Sequence, residues 1–138
     1  TADHNATVNS IPASIASDAG PLYHYIICRT DIPFGNICAQ LVHAAGESAA
    51  LFGPLPANTH AVVLSASSEE ELLKLECRAQ QRGISHCSIR EPDPPFNGAL
   101  MAIGFLPGPK STFKSLLGRY PLLNRQVTCG KTQGGSST

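Results

Sequence analysis

The run Tyr23-His24-Tyr25-Ile26-Ile27-Cys28-Arg29, halted by Pro33-Phe34-Gly35 and followed by a small-residue, apolar stretch from Asn36 to Phe52, decides how this chain folds. The first run is rich in aromatic and branched residues and poor in polar ones, which suits a β-strand buried on both faces. The second stretch contains no proline, and Gly53-Pro54 closes it, so it reads as a helix. A buried strand feeding an apolar helix is the opening unit of an α/β sheet.

Working outward, His60 to Ala66 predicts a second strand. Ser67-Ser68-Glu69-Glu70-Glu71 is a helix start, with a capping box from Ser67 and Glu70 or from Ser68 and Glu71. The acids also suit the positive end of the helix dipole. Leu72, Leu73, Leu75 and Ala79 supply the apolar side of this helix, and Gly83 ends it. Ile84 to Arg90 reads as a short third strand. Pro92, Pro94 and Pro95 then force an extended loop. Ala99 to Phe105 is a fourth strand. Pro109 fits the first position of a last helix carrying Phe113, Leu116 and Leu117, closed by Gly118. The order β-α-β-α-β-β-α predicts a mostly parallel sheet with helices on both faces. The short link between the last two strands implies at least one antiparallel pair, unless those strands are not neighbours.

Residues 1–20, rich in Ala, Ser, Thr and Asn, predict a flexible N-terminal arm, and 126–138 a flexible C-terminal tail, around one domain at 21–125. The chain starts at Thr1 without Met, which reads as processing and leaves room for a removed targeting segment. With 42% hydrophobic and 14% charged residues, the 138-residue chain is neither a charge-driven disordered tail nor a coiled coil. No apolar run is long enough to span a bilayer. The five cysteines form no C-x-x-C pair, which argues against a zinc site or a disulfide framework. Cys28, Cys38 and Cys87 lie in apolar runs and read as reduced core residues of a cytoplasmic protein. Net charge is zero, yet no acidic residue follows Asp93, while Lys110, Lys114, Arg119, Arg125 and Lys131 do. This basic C-terminal third is either a solvated surface or a phosphate-contacting one.

The first helix carries Asn36, Gln40, His43 and Glu47 at i, i+4, i+7 and i+11, on one narrow face of an otherwise apolar helix. The plain alternative is a solvated face, but the stripe contains no Lys or Arg. Its start also lies where ligands gather in open α/β sheets, beyond the carboxyl ends of the strands. The segment Thr30 to Gly35 leaves the first strand there and feeds a helix N-terminus. If the third strand runs parallel to the first, the loop Glu91 to Asn97 brings Glu91 and Asp93 to that same edge. Loop solubility is the plainer role for those two acids.

Arg29-Thr30-Asp31-Ile32-Pro33-Phe34-Gly35-Asn36-Ile37-Cys38-Ala39-Gln40-Leu41-Val42-His43-Ala44-Ala45 resembles the first strand–helix signature of the type II peptidyl-tRNA hydrolase family. That signature is an Arg-x-Asp-Leu segment, a glycine turn and an Ala-Gln-x-x-His-Ala helix. Ala102-Ile103-Gly104-Phe105-Leu106-Pro107-Gly108-Pro109 resembles the family's Ile-Gly-Pro-Gly-Pro segment. The likeness covers roughly residues 22 to 123. It implies a three-layer α/β/α domain around a four-stranded mixed sheet. It also implies hydrolysis of the ester joining a peptide to the tRNA 3′ end, with no metal or other cofactor.

By this resemblance, His43 or an acid of the Glu91–Asp93 loop would activate water, and Gln40 and Asn36 would orient the ester. Arg29, Asp31, Asn97, Lys110 and Lys114 would contact the substrate. The implied partners are tRNA or peptidyl-tRNA, with no membrane and with a homodimer as a candidate assembly. Two departures stand out. Asn36 occupies the position of the family's helix-opening lysine in a shortened turn, and Asn97-Gly98-Ala99 stands where a threonine-bearing segment is usual. A rival from another class is a non-catalytic module using the same cleft for tRNA ends, a nucleotide or a peptide.

Overall fold

In the computed structural model, which describes residues 20–124, the chain runs β1 (Leu22–Arg29), α1 (Phe34–Phe52), β2 (Thr59–Ala66), α2 (Glu69–Gln81), β3 (His86–Glu91), β4 (Ala99–Phe105) and α3 (Lys110–Leu117). Both predicted tails, apart from Gly20, and also Arg125, Cys129 and Lys131 lie outside the described residues. The four strands form one sheet in the order β2-β1-β4-β3. β1 pairs with β2 in parallel over its whole length, from Leu22 opposite Thr59 to Arg29 opposite Ala66. β4 lies antiparallel to both β1 and β3.

The expectation of a mostly parallel sheet is therefore corrected. β1, β2 and β3 all point the same way, but β4 inserts between β1 and β3 and leaves one parallel pair out of three. The physical reason is the short β3–β4 connection. It is a hairpin-scale link, and such links join antiparallel neighbours.

The sheet is covered on both faces. On one face α1 packs Ile37, Ala44 and Phe52 against Ile26, Cys28, Cys87, Ile89 and Ala102. On the other, Leu72, Leu75 and Ala79 of α2 and Phe113, Leu116 and Leu117 of α3 meet Tyr25, Ile27, Leu64, Ile103 and Phe105. Leu72, Leu75 and Leu116 are fully buried, each worth about 2 kcal/mol in water-excluded apolar area. This is the three-layer α/β/α arrangement that the resemblance implied.

One local feature fixes how α1 lies. Gly104 of β4 faces Ser48 and the Ala44 carbonyl so closely that a Cβ there would collide with Ser48 Oγ. The missing side chain lets the helix sit down on the sheet. Cys38, read as core, is instead exposed, whereas Cys28 and Cys87 are buried. Cys38 follows the inward residue Ile37 and points away from the sheet. The second helix is capped by Ser68, whose Oγ accepts the Glu71 N–H at 3.4 Å, so the Ser68–Glu71 alternative is the one realised.

Candidate active site

The carboxyl ends of β1, β2 and β3 share one edge of the sheet, because β1 and β3 are both antiparallel to β4. Alternation along β3 sends Cys87 and Ile89 toward α1. Glu91, two residues on, continues that face. It meets Gln40, whose Nε2 donates to Glu91 Oε1 at 3.2 Å. The pair joins residues 51 positions apart, and it is the direct contact between the helix stripe and the acidic loop.

Gln40 is only 3% exposed. The stripe therefore splits. Gln40 belongs to the inward row Ile37, Gln40, Ala44, Ser48 and Phe52, while His43 and Glu47 are exposed and Asn36 is half-buried. The cause is geometric: at about 100° per residue, Gln40 lies about 60° from the centre of that row, and Asn36, His43 and Glu47 lie about 80–120° from it. Gln40 Oε1 is buried with no hydrogen-bond partner among the described residues. A buried amide oxygen left so costs about 1–3 kcal/mol unless something donates to it, so this atom is a ready acceptor.

The loop after β3 is a compact turn, not the extended segment expected from its prolines. Phe96 and Asn97 both donate backbone N–H groups to the Asp93 carbonyl, at 3.0 and 3.1 Å, and Gly98 N–H reaches Glu91 O at 2.7 Å. Asn97 and Gly98 take φ values of 47° and 92°, the left-handed region that asparagine and glycine tolerate best, and so reverse the chain into β4. The turn draws Glu91 and Asp93 together, since the Asp93 N–H donates to Glu91 Oε2 at 3.2 Å. Asp93 itself is exposed. The Asn97 amide is spent locally on the Pro95 carbonyl at 3.2 Å.

Arg29 and Asp31 sit at the same edge, but on the other face. Arg29 follows Tyr25 and Ile27 in the row facing α2 and α3. Its guanidinium grips Asp31 with two contacts, at 2.6 and 2.9 Å. The hydrogen bond from Arg29 holds the Asp31 carboxyl below its ordinary value. Sequence reasoning took Glu69 only as a dipole-matched acid of the helix start. In the fold, its Oε2 accepts the Leu100 N–H at 2.9 Å and its Oε1 lies 4.0 Å from Arg29 Nη1. No local pattern marks this role, because Leu100 is 31 positions away.

Lys110 and Lys114 do not join the edge. α3 starts just after Gly108, which pairs with Tyr23 at the amino end of β1, and Lys110 Nζ stands 5.5 Å from the Tyr23 ring centroid. The sheet lies between them and Gln40, so they stand apart from the Gln40–Glu91 pair. Among described members of the basic third, Arg119 reaches the carboxyl edge. It lines a crevice of about 230 Å³ with Thr30, Ser65 and Ser67. That crevice lies past the β1–β2 parallel pair, whose following helices go to opposite faces, a favoured ligand position in α/β sheets. Among the described residues no group of three or more His, Cys, Asp or Glu is placed to hold a metal. Nor is any helix among the described residues long and apolar enough to cross a membrane.

Comparison with known proteins agrees with this geometry. No curated protein matches the chain significantly. Among solved structures it is similar to the protein Atu0240 of Agrobacterium tumefaciens strain C58, described as of unknown function. The TM-score is 0.59 at 12% identity, over 75% of this chain and 98% of that one, a likeness of fold alone. The family model described as peptidyl-tRNA hydrolase PTH2 matches residues 22–123. That match spans the whole sheet and all three helices, and the chain belongs to the peptidyl-tRNA hydrolase PTH2 family.

Proposed function

We propose that this domain hydrolyses the ester bond of peptidyl-tRNA in the cytoplasm, at the carboxyl edge of its sheet. The observation that carries the reading is the Gln40–Glu91 pair, with one amide oxygen of Gln40 buried and unpartnered. Gln40 fixes one oxygen of the Glu91 carboxylate, and the Asp93 N–H fixes the other. Each oxygen keeps a lone pair, enough to accept a proton from water. Water then adds to the ester carbonyl, the C–O bond to the ribose breaks, and the departing 3′ oxygen takes up a proton. The products are a free peptide carboxylate and tRNA with its 3′ hydroxyl.

Gln40 Oε1 is the acceptor for a substrate N–H or hydroxyl, which would orient the ester. Asn36 opens the same helix one turn earlier. The first turn of α1 carries no acid, so its positive dipole end faces the developing oxyanion uncancelled. His43, exposed one turn further on, is the alternative base. Asp93 lies beside Glu91 as a second carboxylate. Arg119 supplies the cation at this edge for a terminal phosphate.

The test is release of labelled peptide from N-blocked aminoacyl-tRNA. Wild type should turn over, and Gln40→Ala and His43→Ala should each be impaired. Turnover unaffected by Gln40→Ala would remove the ester site from this edge. One observation favours the rival binding module. Asn36 stands at the usual lysine position, and the nearest arginine at this edge, Arg29, is gripped by Asp31. Binding of the tRNA without release by wild type would establish that rival.

A further inference from the structure

A second cavity lies on the opposite face of the sheet, over β1 and β2 from Tyr23 to Leu64. It is a cleft of about 760 Å³ between α3 and the two strands, walled by Tyr23, Tyr25, Val62, Phe113 and Tyr120, with Lys110 and Lys114 at its mouth. The volume is within the range of pockets that hold small organic ligands. Its walls are fixed. The Phe113 ring packs on Tyr25 at 5.0 Å and on Phe105 at 5.7 Å. The Tyr120 hydroxyl is held by Arg78 Nη2 at 2.8 Å.

The charge at the mouth has one sign. Lys110 and Lys114 are one helical turn apart on α3 and therefore share a face. The lining contains no carboxylate, and among the described residues neither lysine has an acidic partner. Lys110 instead lies against the Tyr23 ring, a position that orients an ammonium without neutralising it. An apolar, aromatic-walled cleft with two unneutralised ammonium groups at its entrance is complementary to a molecule with an apolar body and an anionic head.

We propose that this cleft binds a free amphiphilic carboxylate, its chain against Tyr25, Val62 and Phe113 and its head between Lys110 and Lys114. The site is separate from the ester-hydrolysing edge and does not rest on that reading.

The probe is laurate, kept below its micelle concentration and titrated calorimetrically into the full chain. Lauryl alcohol is the neutral control. The tested variants are the exposed double change Lys110→Glu/Lys114→Glu and, to fill the cleft, Val62→Trp, with circular dichroism checking their folding. One laurate should bind per chain. The alcohol and the double variant should each bind about tenfold more weakly, the scale of one lost charge-assisted contact. Val62→Trp should weaken laurate and alcohol alike. Absence of saturable one-to-one binding, equal affinity for the alcohol, or no effect of the double variant would overturn the proposal. So would a double variant that loses affinity for tRNA while keeping that for laurate, since the lysines would then serve RNA.

Discussion

The carboxyl edge of the sheet and the cleft over β1 and β2 are built from opposite materials. At the edge, Glu91 and Asp93 lie on one face and Asp31 and Glu69 on the other; Arg29 is gripped by Asp31, and Arg119 lines the neighbouring crevice. In the cleft, Lys110 stands over the Tyr23 ring, Lys114 lies one turn on, and no acid lines the walls. A formal net charge of zero thus conceals an acid-rich carboxyl edge and a cleft lined by two lysines.

The sharpest way to break this comparison is to damage one region and measure both. Gln40→Ala should lower peptide release by about 100-fold, the scale of losing an oriented base, while laurate affinity stays within about twofold. A parallel loss of laurate binding in calorimetry would mean that the two regions are one coupled site.

Next in size is Gly104→Ala. The added methyl would meet Ser48 Oγ and crowd the Ala44 carbonyl, forcing α1 away from β4. The expected loss is about 1–3 kcal/mol of stability, as for overpacking elsewhere, read from urea unfolding midpoints. Because the edge hangs on α1 and the cleft does not, peptide release should fall further than laurate binding in the folded variant.

A smaller effect sharpens the comparison on the cleft's side of the sheet. Burial would raise the Glu76 carboxyl, but hydrogen bonds from Arg90 and Ser88, at 2.6 to 3.1 Å, outweigh it and hold the group below its ordinary 4.5. A lowered folded value means that the folded state releases its proton more readily than the unfolded chain. The stability from this group is complete above about pH 4.5 and is lost as pH falls from there through the lowered folded value. Glu76→Gln should cost about 1–2 kcal/mol at pH 7 and much less at pH 3. Denaturant unfolding at both values checks this, and an equal loss at both would refute the ion-pair account.

The smallest expected change is a gain. Asn36→Lys returns an ammonium to the mouth of the edge site, and release should rise a few-fold in steady-state assays. A fall would mean that the edge has been rebuilt around the amide.

Local chemistry announced local structure well. The apolar β1 run, the Ser68 cap and the order of all seven elements were legible because each depends on neighbours in sequence. The meeting of Gln40 with the acidic loop was legible too, once β1 and β3 were taken as pointing the same way. Cys38 and the compact turn after Glu91 were misread locally, and the larger errors are non-local. Nothing in β4 says that it enters between β1 and β3. Gly108 gives no sign that it will pair with Tyr23 and carry Lys110 and Lys114 to the far end of the sheet. Helical spacing put Gln40, His43 and Glu47 on one face, but only packing against Gly104 decides which of them turns inward.

The central position of β4 also orders events in time. It is the last strand to leave a ribosome, yet it sits between two strands made earlier. Until it enters, β1 and β3 have no common neighbour, and Gln40 has no fixed Glu91 to meet. Both long-range pairings must wait for the chain to reach Phe105, and such distant contacts form slowly. A nascent chain ending before that residue would carry every residue assigned to the proposed ester edge except Arg119, and still hold no assembled site.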